Sequence, residues 1–211
     1  TPAIFDGHND VLLHLYREGG LSASDSFLNG RDGAIDLIKA KAGGFAGGFF
    51  AVYIPSPTDK AFKMEEMAKP TYDLPLPDAI DWKDALPVAM AISAILFDLE
   101  NKEALKVCRS VADIRATLAA GQIAAIFHLE GAEAIDPDLH TLEVLYQAGL
   151  RSIGPVWSRP TIFGNGVPFR YPSDADIGAG LTDHGLRLVK RCDKLGVMID
   201  LSHLNAAGFW D

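Results

Sequence analysis

Two rhythms of apolar and polar positions alternate along the chain. Charge-poor runs rich in β-branched and aromatic residues occur at Phe45–Pro55 (FAGGFFAVYIP), Gln122–Leu129 (QIAAIFHL), Arg151–Trp157 (RSIGPVW) and Val197–Ser202 (VMIDLS). Their length and composition predict buried strands. Ala3–Phe5 is a shorter apolar run and reads as the end of a first strand. Between these runs the spacing turns helical. Ala34–Ala42 carries Ile35, Leu37 and Ile38, and the pair Gly43 and Gly44 stops it. Pro77–Leu105 is Ala-rich and amphipathic, with an interruption expected at Pro87. Ser110–Ala120 and Asp138–Ala148 are further helices, the second closed by Gly149. Thr182 reads as the N-cap of a helix running to Leu195, with Gly196 ending it. Asn29–Gly33 (NGRDG) is a turn, and Pro55–Tyr72 and Ser158–Gly180 read as loops.

The order strand, helix, strand, helix with charge-poor strands predicts an α/β fold with a parallel sheet covered by helices. About five strands fit. A doubly wound sheet and a (β/α)8 barrel share this rhythm. No internal repeat or low-complexity tract interrupts it.

Composition narrows the class. A chain of 211 residues suits one sizeable domain, and 48% hydrophobic with 22% charged residues is an ordinary globular balance. The net charge of -9, with no cluster of Lys and Arg to offset it, argues against a nucleic-acid surface. No run approaches the ~20 apolar residues of a membrane span. Cys108 and Cys192 are far apart and read as reduced structural thiols, which fits a cytoplasmic setting. The N-terminus shows neither the basic region nor the apolar stretch of a secretion signal. It also lacks Met, as a processed or trimmed start would.

The candidate chemistry gathers at the C-terminal ends of the predicted strands, where parallel α/β folds build their sites. His8 and Asp10 follow the first strand within FDGHND, Glu130 follows QIAAIFHL, Trp157 and Arg159 follow RSIGPVW, and His203 follows VMIDLS. In extended backbone, His8 and Asp10 point the same way. An imidazole and a carboxylate so placed suit a borderline divalent ion such as Zn²⁺. Asp6 has the same parity and is a candidate to hold a ligand histidine from behind. Glu130 offers further oxygens, able to bridge two metals, and His203 a second imidazole. The chemistry these groups point to is metal-assisted hydrolysis of a carbonyl compound. His128 shares strand parity with Glu130, while a packed core role suits it equally. His14, His140 and His184 read as solvated. Gly47 and Gly48 lack the rest of a phosphate loop, and no G-x-S-x-G elbow supports a serine hydrolase.

The segments FDGHND, GGFAGGFFAVYIP, HLEGAEAI, LEVLYQAGLRSIG and GLTDHGLRLVKRCDKLGVMIDLSH resemble, in order and over nearly the whole chain, the membrane (renal) dipeptidase family of the metallo-dependent amidohydrolases. The resemblance implies a (β/α)8 TIM-like barrel with two Zn²⁺ ions at its C-terminal mouth. It implies His8 and Asp10 as ligands of one zinc, Glu130 as the bridging and catalytic carboxylate, and His203 as a ligand of the second. A bridging hydroxide would attack the carbonyl of a dipeptide, often one with a C-terminal D-residue. The implied partner is a small-molecule substrate, a dipeptide or related amide, and the family suggests homodimers. Trp157 stands where many family members carry a substrate-binding histidine. It is expected, with Arg159, to line the substrate site, and it raises another N-acyl or cyclic amide as the alternative substrate. A non-catalytic metal-binding relative is the third reading. A barrel of this kind takes eight strand–helix units and ~250 residues before insertions. Residues 1–211 are therefore expected to be the N-terminal part of one catalytic barrel domain, inactive by itself.

Overall fold

The charge-poor runs do become strands and the periodic ones helices, in a computed structural model that describes residues 2–56 and 64–211. In chain order the elements are β1 (Ile4–Asn9), α1 (Val11–Glu18), α2 (Ser24–Asn29), α3 (Leu37–Gly43), β2 (Phe45–Tyr53), α4 (Met64–Met67), β3 (Tyr72–Leu74) and α5 (Trp82–Asn101). They continue with β4 (Lys106–Val107), α6 (Val111–Ala119), β5 (Ala124–Glu130), α7 (His140–Ala148), β6 (Leu150–Ile153), β7 (Phe169–Tyr171), α8 (Asp183–Leu195), β8 (Met198–Ile199) and α9 (Ala206–Trp210). The main sheet has the strand order β1-β2-β5-β6-β8, with β4 beside β5. The chain falls into two compact units. One comprises Thr1–Tyr53, Pro87–Leu129 and Val144–Ser152, the other Ile54–Leu86, Glu130–Glu143 and Ile153–Asp211.

In the first unit β1 runs parallel to β2, with Phe5 opposite Gly47 and Asp6 opposite Gly48. A Cβ at Gly47 would strike the Ala124 carbonyl and the Phe5 ring, and one at Gly48 would meet Asp6 at 2.8 Å. The two glycines therefore serve close strand packing, as expected from their apolar surroundings. The core of this unit joins Leu12 and Leu15 of α1, Phe27 of α2, Phe50 of β2, Ile92 and Leu96 of α5, and Phe127 of β5, all fully buried. Phe97 meets Phe127 edge to face at 5.9 Å. Helix α3 starts at Asp36, whose carboxylate accepts the Lys39 N–H at 2.7 Å. Hydrogen bonding from the Lys39 backbone and ammonium lowers the Asp36 carboxyl to about 2.

In the second unit β3 and β7 pair antiparallel, with Tyr72 opposite Tyr171. Phe163, Ile153, Leu188 and Cys192 are fully buried there. Thr182 caps α8 by accepting the Gly185 N–H at 3.1 Å, and Gly196 ends the helix with a left-handed φ of 70°. The Asp200 N–H, just past β8, donates to the Ile153 carbonyl at 2.9 Å.

Four expectations need correction. The polar FDGHND cluster lies largely inside β1 rather than after it: Asp6 pairs with Gly48 and Asn9 with Phe50 of β2, and His8 lies at the register shift between them. Pro87 does not interrupt α5, which runs unbroken from Trp82 to Asn101. The loop 158–180 contains β7, and the loop 55–72 contains α4 and the start of β3, with residues 57–63 lying outside the described residues. The runs at Arg151–Trp157 and Val197–Ser202 give strands of only four and two residues. Pro155 lacks the N–H that would extend β6.

Candidate metal centre

His8 lies near the end of β1, and Asp10 is the N-cap residue of α1. Strand and helix thus meet at the residue between them, Asn9, and the two side chains come together. His8 Nε2 is 3.4 Å from Asp10 Oδ1. The hydrogen bond from His8 holds the Asp10 carboxyl below its ordinary value, against partial burial, with added attraction from His8, His14 and Arg17. The His8 ring packs edge-on against His128 of β5 at 5.9 Å. His128 is fully buried, and its Nδ1 lies 2.9 Å from the Ser152 hydroxyl. That bond fixes the ring as a wall behind His8.

Asp6 has another partner than the one expected. Its carboxylate accepts from the Asn9 amide at 3.3 Å, and the same amide donates to the Phe49 carbonyl at 3.1 Å. The strand register shifts between Asp6 and Asn9, which breaks the alternation the sequence suggests and brings the Asn9 amide to Asp6. Asp6 fastens the end of β1 to β2 instead of holding an imidazole.

In the second unit Glu130 is the last residue of β5, and Gly131 turns the chain away with φ 81°. His203 follows β8 in a left-handed conformation, φ 70°, and its carbonyl accepts the Val167 N–H at 2.9 Å. The turn aims His203 Nε2 at Glu130 Oε1, 3.2 Å away. Glu130 is 8% exposed, whereas the His203 side chain stays 32% exposed. The His203 ring leans on Trp157 at 6.2 Å, and Trp157 packs on Phe169 of β7 at 5.3 Å.

Arg159 lies close to Trp157, with its guanidinium carbon 5.5 Å from the ring centre. Its side chain is fully buried and strongly tethered, which is not the setting expected of a substrate contact. Nε and Nη2 donate to Glu133 Oε1 at 3.0 and 2.7 Å, Nη2 to the Ile54 carbonyl at 2.7 Å, and Nη1 to the Ser56 hydroxyl at 2.9 Å. Burial pushes the Glu133 carboxyl up, and the Arg159 charge opposes that shift. Sequence reasoning missed Glu133. Its signal was a lone charge inside the apolar stretch GAEAI.

A second acidic group, Asp136 with Asp138 and His140, also places ligand-type atoms within 4.8 Å of one another. Asp136 is occupied otherwise. Its oxygens accept the backbone N–H groups of Asp138, His140 and Thr141, which caps the entry to α7.

Two imidazoles and two carboxylates, arranged as nitrogen–oxygen pairs, are the donor set that a borderline divalent ion takes. The sequence pattern of the membrane dipeptidase family, peptidase family M19, matches residues 1–211. The chain superposes with a TM-score of 0.94 and 49% identity on a metallo peptidase from Rhodobacter sphaeroides, whose crystal structure holds a phosphinate mimic of the dipeptide L-Ala-D-Ala. The match covers 99% of this chain and 60% of that one. A second M19 metallo peptidase, dipeptidase AC, gives a TM-score of 0.91 at 48% identity, covering 98% of this chain and 59% of that one. An uncharacterized protein of Acinetobacter calcoaceticus, encoded in the PQQ-III 3' region, is 35% identical over 99% of this chain and 65% of its own length. The chain thus spans about two thirds of that relative or less. The fold is α/β, of the partial (β/α)8 TIM-barrel type found in the metallo-dependent hydrolases. The parallel sheet, the imidazole–carboxylate pairs and the family pattern agree: the chain belongs to the membrane dipeptidase family, peptidase family M19.

Proposed function

We propose that residues 1–211 form part of a single catalytic barrel that hydrolyses dipeptides, including ones with a C-terminal D-residue, with two Zn²⁺ ions as cofactor. The observation that carries this reading is the meeting of His8 with Asp10 and of Glu130 with His203, each imidazole nitrogen within 3.4 Å of a carboxylate oxygen. The residues fit the ions by chemistry: neutral imidazoles and ionised carboxylates are the ligands zinc selects. His8 and Asp10 would hold one ion, His203 the other, and Glu130 would serve both. When bound, such ions polarise a carbonyl and acidify water, which is what amide hydrolysis requires.

The remaining work falls to the chain itself. Glu130 suits the part of shared ligand by chemistry: an ionised carboxylate offers two oxygens. Trp157 supplies an apolar wall beside His203 and one indole N–H, which donates a hydrogen bond but transfers no proton in the pH range of the reaction. That wall bounds the space beside His203. It also supports a second reading, an amide other than a dipeptide, because an indole cannot do what an ionisable imidazole does.

Metal analysis of the whole protein, with a dipeptide panel that includes L-Ala-D-Ala, tests the proposal. Expected are two zinc equivalents and turnover of dipeptides, both lost in Glu130→Gln. Zinc with turnover only on N-acyl or cyclic amides favours the second reading. Protein purified without chelator that binds no zinc overturns both.

A further inference from the structure

Glu133 and Arg159 form an ion pair in which both side chains are 0% exposed. Such a pair is a poor way to stabilise a fold, since apolar residues of similar volume often do as well or better. Geometry shows what else it does. Four hydrogen bonds, two to Glu133 and one each to Ile54 and Ser56, fix the plane of the guanidinium. The guanidinium carbon so held lies over the Trp157 ring at 5.5 Å, that ring leans on His203, and His203 Nε2 meets Glu130. Glu133 is also tied back to Glu130 through the chain. Gly131 has no side chain where Glu133 Oε2 lies, so the turn after β5 closes around the carboxylate. That oxygen has no hydrogen-bond partner among the described residues. Only one oxygen of Glu133 does the holding, and it holds Arg159.

We propose that Glu133 and Arg159 are positioning residues: their buried pair fastens the turn that carries Glu130 to the segment that carries Trp157, and clamps the indole against His203 to set the width of the substrate site. This rests on the reading of Glu130 and His203 as metal ligands and of Trp157 as the substrate-facing wall. Neither Glu133 nor Arg159 touches substrate. They act through the indole.

The test is Arg159→Lys in the whole protein, loaded with zinc. Lysine keeps the charge but loses the planar fork. The expected result is a KM for dipeptide raised about fivefold, with kcat per bound zinc changed less than about twofold and zinc content unchanged. The Trp157 emission, taken as the difference from the Trp157→Phe protein, shifts as the indole loosens. In the Trp157→Phe background Arg159→Lys has no further effect on KM, because the wall it positions is gone. A merely structural pair would lower active fraction and zinc content and leave KM alone. That outcome, or an equal KM rise in both backgrounds, overturns the proposal. If Arg159→Lys does not fold, Ser56→Ala removes one tether and is expected to raise KM about twofold with the same dependence on Trp157; no change in KM or emission overturns the clamp. A wild-type protein without hydrolytic activity counts against the functional reading instead. The clamp is then decided by emission alone, and an unchanged Trp157 signal in Arg159→Lys removes it.

Discussion

Glu130 and Glu133 stand three residues apart, and each meets a nitrogen base. Their surroundings differ. Glu130 ends a strand and faces an imidazole whose side chain is 32% exposed. Glu133 is sealed with an arginine that is bonded on every nitrogen. The first pair can exchange its partner for an ion or a ligand, because the imidazole end is open to solvent. The second cannot open without leaving a charge in a dry interior, where it would be very unfavourable. One short turn thus presents a carboxylate whose partner is partly open to solvent on one side of Gly131 and a sealed one on the other. Residue type alone does not separate the two roles; the partner and its tethers do.

The sharpest way to break this comparison is to remove the base from each pair's carboxylate or the carboxylate from its base, and to measure stability by urea denaturation. Arg159→Met leaves Glu133 buried without its counter-charge and is expected to cost about 3–5 kcal/mol. Glu130→Gln keeps an acceptor of the same shape and is expected to cost less than ~1.5 kcal/mol. Equal losses for the two variants would erase the distinction. Gly131→Ala comes next. It forces a Cβ into a φ of 81° and against the Glu133 carboxylate, so a loss of roughly 2 kcal/mol is expected from the backbone and the contact together. A loss below ~0.5 kcal/mol, a usual surface effect, would show that the turn is not closed around Glu133.

The smallest effect lies elsewhere, at a carboxylate that belongs to neither pair. Asp36 has its carboxyl lowered to about 2 in the folded chain from a reference of 3.8. A lowered value means that its stabilisation is full above about pH 4 and fades as pH falls towards 2. Asp36→Asn keeps an acceptor for the helix cap but no charge for Lys39. Its stability curve should therefore be flatter than wild type over that window, with the helix cap itself retained. Parallel curves for the two proteins would rule out Asp36 as the source of the acid sensitivity.

Much of this arrangement is legible in the residues. Charge-poor runs gave β2 and β5, because buried parallel strands admit almost no charge. Thr182 and Gly196 marked α8, because capping chemistry is local. His8, Asp10, Glu130 and His203 could be singled out from their place at strand ends, and the structure pairs His8 with Asp10 and Glu130 with His203. What a side chain bonds to was not legible. Asp6 has the right parity to support His8, yet Asn9 reaches it first. Arg159 meets Glu133 across 26 residues of sequence, and nothing local to either residue announces the other. Strands β3 and β7 are three residues each and pair Tyr72 with Tyr171, far apart in sequence, and they are too short for alternation to register.

His203 carries one further consequence. A residue with a side chain at φ 70° gives up roughly 1–2 kcal/mol that glycine would not. On the proposed reading of His203 as a metal ligand, the turn after β8 sets backbone stability against ion binding. His203→Gly would relax the turn and lose the imidazole. The left-handed backbone at this position is then a cost borne for the side chain rather than for the turn.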